Sequence, residues 1–330
     1  MFASPADTEA AGTRASWMDP EGPHAVENVD DHPYHAIRVE LRTRGGAGGL
    51  GDAAPGSWNI TRRSVNEHGL NGCAGYPTLR EGRNTMLDLE IVTTSERHDL
   101  DEQAKAAFRP GWPEFIFHDP VTAEYIERVE SYFPRYDILL LDDGQVVAGG
   151  WGVPVRWDGT VSALPDGYDG ALVAAVAGHQ SAVPADTLCI MAAAVRQDRQ
   201  GTGLAGKTLT ALRERATAAG LTRVIAPVRP ALKGRYPLTP MENFATWTRP
   251  DGAHIDPWIR THQRLGATIL APAPRSMVIT GTVAEWQDWT GMFFPETGQY
   301  VVPDALDLVS IDREKDSGTY AETNLWMRHL

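Results

Sequence analysis

The fold is decided by residues 186–220, which read DTLCIMAAAV, then RQDRQGTG, then LAGKTLTALRERATAAG. The first part is an apolar run with the length of a buried strand. The last part places small and apolar side chains on one helical face and stops at Gly220, a residue type that commonly ends helices. A strand, a Gly-rich turn and a helix N-terminus bring free N–H groups and the positive helix end to one place. The stretch therefore predicts an anion site, most often one for phosphate.

Three phosphate-binding motifs fit these letters, and their spacing separates them. Residues 201–208 match the Walker A motif G-x-x-x-x-G-K-T, and residues 201–206 match the dinucleotide motif G-x-G-x-x-G. Both motifs place their first Gly directly at the end of the strand, whereas five polar residues separate Val195 from Gly201 here. The apolar runs that follow the helix also contain no acid that could bind magnesium or a ribose.

The third motif is Q-x-x-G-x-A, which Gln200, Gly203 and Ala205 form behind Val195. It is similar to the pyrophosphate loop of the GNAT superfamily of acyl-CoA N-acyltransferases, which tolerates the intervening polar residues. The alternative is a Gly-rich connection that binds nothing. The resemblance implies that the loop holds the pyrophosphate of coenzyme A and that the end of the strand pairs with its pantetheine arm. The implied donor-site residues are Ala193, Ala194, Val195, Gln200, Gly201, Thr202, Gly203, Leu204 and Ala205.

The composition narrows the functional class. The chain has 330 residues, 42% hydrophobic and 22% charged, which is typical of a soluble globular protein. Its net charge of −13 disfavours nucleic acid as a partner and weakly favours a cationic acceptor. The two cysteines, Cys73 and Cys189, predict no disulfide framework, and the sequence contains neither a membrane span nor a signal-peptide core. We therefore expect a cytoplasmic protein. No metal is expected, because the histidines of residues 30–35 lack the spacing of a metal site.

Residues 1–85 differ from the rest of the chain. They are rich in Gly, Ala, Asp, Arg and Pro, with RGGAGGLGDAAPG in the middle. Such a segment buries too little apolar surface to offset its ordering entropy, which predicts a low-complexity, disordered extension. The functional unit is expected to begin near Met86. The alternative is that Met86 is the true start, with translated upstream sequence in front of it.

Residues 86–330 resemble the GNAT fold in the order of their elements. The resemblance implies an α/β (α+β) domain, with a mixed, strongly twisted sheet flanked by helices. Strands are predicted at 87–95, in a hairpin over 136–155, and at 186–195, 221–228, 276–283 and 324–330. Helices are predicted at 102–108, 122–133, 169–177, 204–220, 241–247 and 283–292, with a last family helix and a sixth strand within 256–270. Insertions at 160–185 and 229–255 are expected to form the walls of the acceptor pocket.

The catalytic residues rest on the same resemblance. The family's usual Y-x-K-x-G-F pattern is matched by His262, Arg264, Gly266 and Ala267. His262 therefore stands where a Tyr general acid is usual, and a His can also protonate a thiolate; the alternative is a His on a helix surface. Cys189 lies near the position where some members carry a Glu base, and it cannot replace a carboxylate. Glu242, just before the last family helix, is the candidate base, with a solvated side chain as the alternative.

The predicted function is an acyl-CoA-dependent N-acyltransferase that moves an acetyl group from acetyl-CoA to a small-molecule amine by direct transfer. A non-catalytic GNAT-like module that senses acyl-CoA is one alternative, and a P-loop nucleotide-dependent enzyme is a weaker one. A homodimer is compatible with the sequence. Five tryptophans are candidates to line the acceptor pocket, with core packing as the alternative: Trp112, Trp247, Trp258, Trp286 and Trp289.

Overall fold

The structure is a computed structural model that describes residues 89–329. The predicted extension over 1–85 and the predicted start at Met86 lie outside the described residues and stay predictions. Within the described residues, no helix is long and apolar enough to cross a membrane.

The described chain forms one sheet with helices on both of its faces. The strands are β1 (Glu90–Thr93), β2 (Asp137–Asp142), β3 (Gln145–Val155), β4 (Thr187–Val195), β5 (Arg223–Val228), β6 (Thr268–Gly281), β7 (Gly298–Tyr300), β8 (Val309–Asp312) and β9 (Ser317–His329). The α-helices are α1 (Asp101–Phe108), α2 (Pro120–Tyr132), α3 (Gly167–Gln180), α4 (Leu204–Ala218), α5 (Met241–Phe244), α6 (Pro257–Arg264) and α7 (Val283–Thr290). The predicted fold class, a mixed sheet flanked by helices, is confirmed.

The last strand, β9, lies inside the sheet rather than at its edge. The order is β1-β2-β3-β4-β5-β9, and β6 pairs with β9 along the side opposite β5 and β8. The sequence predicts two separate strands where β6 is continuous, and it predicts a last strand of only 324–330; both predictions are wrong. Because β9 supplies a pairing partner along its whole length, β6 continues through the irregular register between Ala273 and Met277.

The parallel pair β4 and β5 separates soon after it forms. Only Thr187 to Cys189 of β4 pair with β5, whereas the pairing of β4 with β3 continues to Val195. The burial of β4 changes at the same place, from buried in its first half to half-buried over its last four residues. The edge of β4 that faces β5 is therefore open from Ile190 onwards, and we call this gap the β4–β5 opening.

The two faces of the sheet can be identified from residues of β3. A Cβ on Gly150 would meet Thr208 of α4 at 2.8 Å, whereas a Cβ on Gly149 would meet Phe108 of α1 at 2.9 Å. The ring of Trp151 packs edge-on against Tyr168 of α3, with 6.2 Å between centroids. Because successive side chains alternate across a strand, α4 covers one face and α1 and α3 cover the other. We call them the α4 face and the α3 face.

Two carboxyl groups, the buried Asp119 and the half-buried Asp169, lie where α2 and α3 begin. Asp119 is 1% exposed and accepts a hydrogen bond from the Thr122 N–H at 2.7 Å, and Asp169 accepts one from the Val278 N–H at 3.0 Å. The second oxygen, Oδ1, of each carboxyl is buried without a hydrogen-bond partner. Burial, followed by the nearby Asp119 carboxylate, raises the pKa of Asp169 to about 7. The neutral form of Asp169 is therefore favoured in the folded protein.

We expect stability to fall as pH rises from about 4 to about 7, because the folded state holds a proton on Asp169 that the unfolded chain releases near pH 3.9. Asp169→Asn keeps an acceptor for Val278 and adds a donor for Asp119, so it should stabilise the protein above pH 7 by on the order of 2 kcal/mol. The measurement is the free energy of unfolding by urea at pH 5 and pH 8. The matched control is Asp288→Asn on the exposed side of α7, which should change neither value. A gain that is equal at both pH values would contradict the prediction.

Candidate active site

The Gly-rich loop leads from β4 into α4 as the sequence predicts. Gly203 is the N-cap of α4 with φ +85°, and Gly201 has φ +77°, a region that favours glycine. The first backbone N–H of this helix to donate is that of Lys207, to the Gly203 carbonyl at 3.2 Å. The N–H groups of Gly201, Gly203 and Ala205 donate to no oxygen of residues 89–329. The loop therefore presents free donors at the positive end of α4, as an anion site requires.

Ionic and backbone contacts fix the loop to the β2–β3 hairpin. The Arg199 guanidinium pairs with the Asp142 carboxylate at the end of β2. The Arg196 N–H donates to the Val147 carbonyl at 3.0 Å, and the Thr202 hydroxyl donates to the Arg199 carbonyl at 2.6 Å. These contacts order the loop without using the N–H groups that follow Gln200.

A cavity of about 520 Å³ adjoins this loop. Val195 and Gln200, both predicted donor-site residues, form part of its wall. The rest is formed by the end of α1 and by the turn before Gln200: Ala106, Ala107, Pro110, Gly111, Arg196, Gln197 and Asp198. Space for a ligand therefore exists beside the free N–H groups.

β4 also carries a bulge next to the β4–β5 opening. Ala192 pairs with Trp151 and Ile190 pairs with Gly152, so Met191 is an extra residue on β4. A bulge leaves backbone groups out of the ladder, and here they lie one residue after the strand begins to separate from β5. Further along, Ala193 and Ala194 pair with Gly150 and Gly149, so their small side chains lie on opposite faces. The last residues of β4 therefore have backbone groups that do not pair with β5, and their side chains on both faces of the sheet are small.

His262 is buried against a second histidine. It is 1% exposed, and its Nδ1 lies 2.9 Å from Nε2 of His329, while its own Nε2 has no partner. His329 pairs with Val224 of β5, which in turn pairs with Leu188, so the two rings lie at the closed end of the β4–β5 pair. Burial, with a smaller effect from His329, lowers the pKa of His262 to about 3. The imidazole is therefore neutral near pH 7.

No observation tests the general-acid role of His262, which stays a prediction, and two matched variants separate it from a structural role. His262→Ala and His329→Ala break the same contact, so both should lower the melting temperature by similar amounts. A loss of kcat of about 10²–10⁴-fold that is confined to His262→Ala would establish proton transfer by that ring. The measurement is kcat at a temperature where both variants remain folded. Equal, small losses of kcat would make the pair structural.

Glu242 is the second residue of the short helix α5. It is exposed on α5, and its side chain forms no hydrogen bond or ion pair within residues 89–329. Its predicted role as a base is not tested and stays a prediction. Of the predicted tryptophans, Trp286 is 0% exposed in a second apolar core, where it packs against Phe115 at 5.8 Å. Trp258 packs against the ring of His262 at 4.3 Å.

The α3 face holds a buried polar network that the sequence did not predict. Arg229 directly follows β5, and its Nε donates to Glu322 Oε2 at 2.8 Å. The same carboxylate accepts hydrogen bonds from the Tyr320 hydroxyl at 2.8 Å and the Asn324 amide at 2.7 Å. Ser276 of β6 donates to Asn324 at 2.6 Å. The sequence did show polar residues alternating along β9, at Tyr320, Glu322 and Asn324, which places them on one face of the sheet. The strand register is needed to show which residues they contact.

Comparison with known proteins supplies the family. No model of a known protein family matches the chain. An arginine N-acetyltransferase of Aspergillus versicolor, avaD, is 30% identical over 290 residues, which cover 78% of this chain and 99% of the relative. The chain therefore belongs to the GNAT superfamily of N-acetyltransferases.

Two solved structures show a weaker likeness. The loading GNATL domain of CurA from Lyngbya majuscula has a TM-score of 0.44 and 14% identity, over 73% of this chain and 96% of that domain. A Drosophila melanogaster polyamine N-acetyltransferase has a TM-score of 0.36 and 15% identity, over 74% of this chain and 100% of that one. Membership of the family rests on the sequence relative.

Proposed function

We propose that this N-acetyltransferase uses acetyl-CoA as its donor and transfers the acetyl group directly to a small-molecule amine. In that step the amine nitrogen forms a bond to the thioester carbonyl carbon, and the carbon–sulfur bond breaks. The nitrogen gives up a proton, and the departing thiolate of coenzyme A takes one. The chain must therefore bind the donor, admit the amine, and stabilise the oxyanion that exists after the carbon–nitrogen bond forms and before the carbon–sulfur bond breaks.

The observation that carries the proposal is the β4–β5 opening next to the Gly-rich loop. The free N–H groups after Gln200 suit a pyrophosphate, and the unpaired edge of β4 from Ile190 to Val195 suits the amides of a pantetheine arm. A backbone N–H at the Met191 bulge is the candidate oxyanion donor, because the bulge frees it from the β3 ladder. Ala193 and Ala194 leave room for the thioester. We propose this set as the donor site.

For the acceptor, we propose a small basic amine such as a basic amino acid. The relative from Aspergillus versicolor is named for arginine, and the chain covers nearly all of its length. The net charge of −13 favours a cationic acceptor by long-range attraction. The insertion between β3 and β4, which contains α3, covers the α3 face, and we propose that the amine enters from that side.

The test is the release of free thiol from acetyl-CoA by the full-length protein, with arginine, agmatine, lysine and spermidine offered one at a time. We expect thiol release that depends on the amine, with the acetylated amine identified by mass spectrometry. A protein that binds coenzyme A by calorimetry but acetylates no amine would be a sensor instead. A thermal shift with Mg-ATP and none with acetyl-CoA would favour the P-loop alternative.

A further inference from the structure

A second, smaller cavity of about 230 Å³ lies on the α3 face. One wall is the turn that leads into α3, and the other consists of β6 and Trp326 of β9. The residues around it are Val161, Ser162, Leu164, Pro165, Asp166, Gly167, Ala271, Pro272, Ala273, Pro274 and Trp326. The turn approaches β6 closely at Gly167, where a Cβ would lie 2.2 Å from Cα of Ser276. The close packing of this turn against β6 therefore sets the position of the cavity.

The cavity has one anionic group, and that group is not used by the fold. Asp166 is the N-cap of α3, but its side chain accepts no capping hydrogen bond. It is exposed, and it forms no ion pair within residues 89–329. No lysine or arginine lines the cavity. A cationic group of a ligand would therefore meet an uncompensated carboxylate there.

The cavity also has one donor without a partner among residues 89–329. Trp326 is 2% exposed, and its indole N–H makes no hydrogen bond with any residue of 89–329. An indole N–H is a donor only, so it forms its hydrogen bond with an acceptor oxygen or nitrogen. Because this side chain lines the cavity, a hydrogen-bond acceptor on a bound molecule can supply the one that the protein lacks.

The cavity lies close enough to the β4–β5 opening for one molecule to occupy both. Trp326 pairs with Pro227 of β5, which lies beyond Ile225, the last residue of β5 to pair with β4. On its other side Trp326 pairs with Ala271 of β6. Because neighbouring strands are about 5 Å apart, the cavity lies about 5–10 Å from the opening. A chain of a few methylene groups spans that distance.

We propose that this cavity binds the carboxylate of an amino acid acceptor, with the Trp326 N–H donating to the carboxylate and Asp166 pairing with a cationic group of the same molecule. The inference rests on the proposed function and deepens it, because it distinguishes amino acids from the amines that result from their decarboxylation. Both kinds of amine carry the positive charge that Asp166 attracts. Only the amino acid offers an acceptor to Trp326.

The experiment compares arginine with agmatine, which lacks the carboxylate, in the full-length protein. Wild-type protein should prefer arginine in kcat/KM, and Trp326→Phe should reduce that preference about tenfold or more, as expected for the loss of one hydrogen bond to a charged group. Phenylalanine keeps an aromatic ring in the core but removes the donor together with part of the indole, so a control with the same truncation is needed. Asp166→Asn should instead raise KM for both amines.

The matched control is Trp286→Phe, which makes the same truncation of an unpartnered indole, but in the second core. It should leave the preference for arginine unchanged. An unchanged preference in folded Trp326→Phe would overturn the proposal. If the wild type acetylates no amine, the proposed function fails, and calorimetry still decides the site. Tighter binding of arginine than of agmatine that is lost in Trp326→Phe supports the site, and equal or absent binding overturns it.

Discussion

Gly203→Val should weaken the binding of coenzyme A by about tenfold or more while the protein stays folded. In the proposed donor site, the N–H groups around this residue approach the pyrophosphate closely, and a branched side chain there would occupy the space that the anion needs. In the unliganded protein nothing lies within 4 Å of a Cβ at Gly203, so the steric effect appears only with the ligand bound. Calorimetry with coenzyme A measures the affinity, and a cooperative thermal unfolding transition shows that the variant is folded.

The control for this change lies at the other end of the same helix. Gly220 has φ +82°, close to the +85° of Gly203, and nothing lies within 4 Å of a Cβ there either. Gly220→Val therefore imposes a similar backbone strain, about 1–2 kcal/mol, without approaching the loop. It should lower the melting temperature about as much as Gly203→Val and leave the affinity for coenzyme A unchanged. Equal affinities in the two variants would show that the loop does not hold the donor.

Glu322→Ala should lower the free energy of unfolding by about 3–5 kcal/mol, because it removes a buried carboxylate and leaves the Arg229 guanidinium, 18% exposed, without its counter-charge. Glu322 is 1% exposed, and its oxygens accept from Arg229, Tyr320 and Asn324 within 2.8 Å. All three donors lose this acceptor in the variant, and two of them, Tyr320 and Asn324, are buried away from water. Urea unfolding at pH 7 measures the change. Because the network tethers β5 to β9, we also expect its loss to disturb the α3 face.

A surface pair provides the comparison for this prediction. Glu102 pairs with Lys105 on α1 at 2.8 Å, and both side chains are more than 70% exposed. Glu102→Ala should not change the free energy of unfolding measurably, because exposed ion pairs contribute little. If Glu322→Ala and Glu102→Ala lower the free energy of unfolding by the same small amount, the Arg229–Glu322 pair does not stabilise the protein as its burial predicts.

The sequence by itself determined the elements of the donor half of the site. The apolar run of β4, the loop from Arg196 to Gly203 and the amphipathic α4 are local features, and the structure forms them at the predicted places. Their signals lie within a few residues of one another, because strand length, helical period and glycine spacing depend on the nearby backbone. The Q-x-x-G-x-A motif, confined to one turn, was enough to indicate the family.

Only the tertiary structure decided which distant residues come into contact. The extent of the β4–β5 opening depends on where two strands stop pairing, and no local pattern records that limit. Glu322 meets Arg229 although 93 positions separate them, and His262 is buried because His329 arrives from the last strand. The sequence alone places Trp326 in the core, whereas the structure shows that it also lines a cavity beside the turn at Asp166. Contacts of this range follow from the placement of β9 between β5 and β6, which the chain fixes only when the whole sheet assembles.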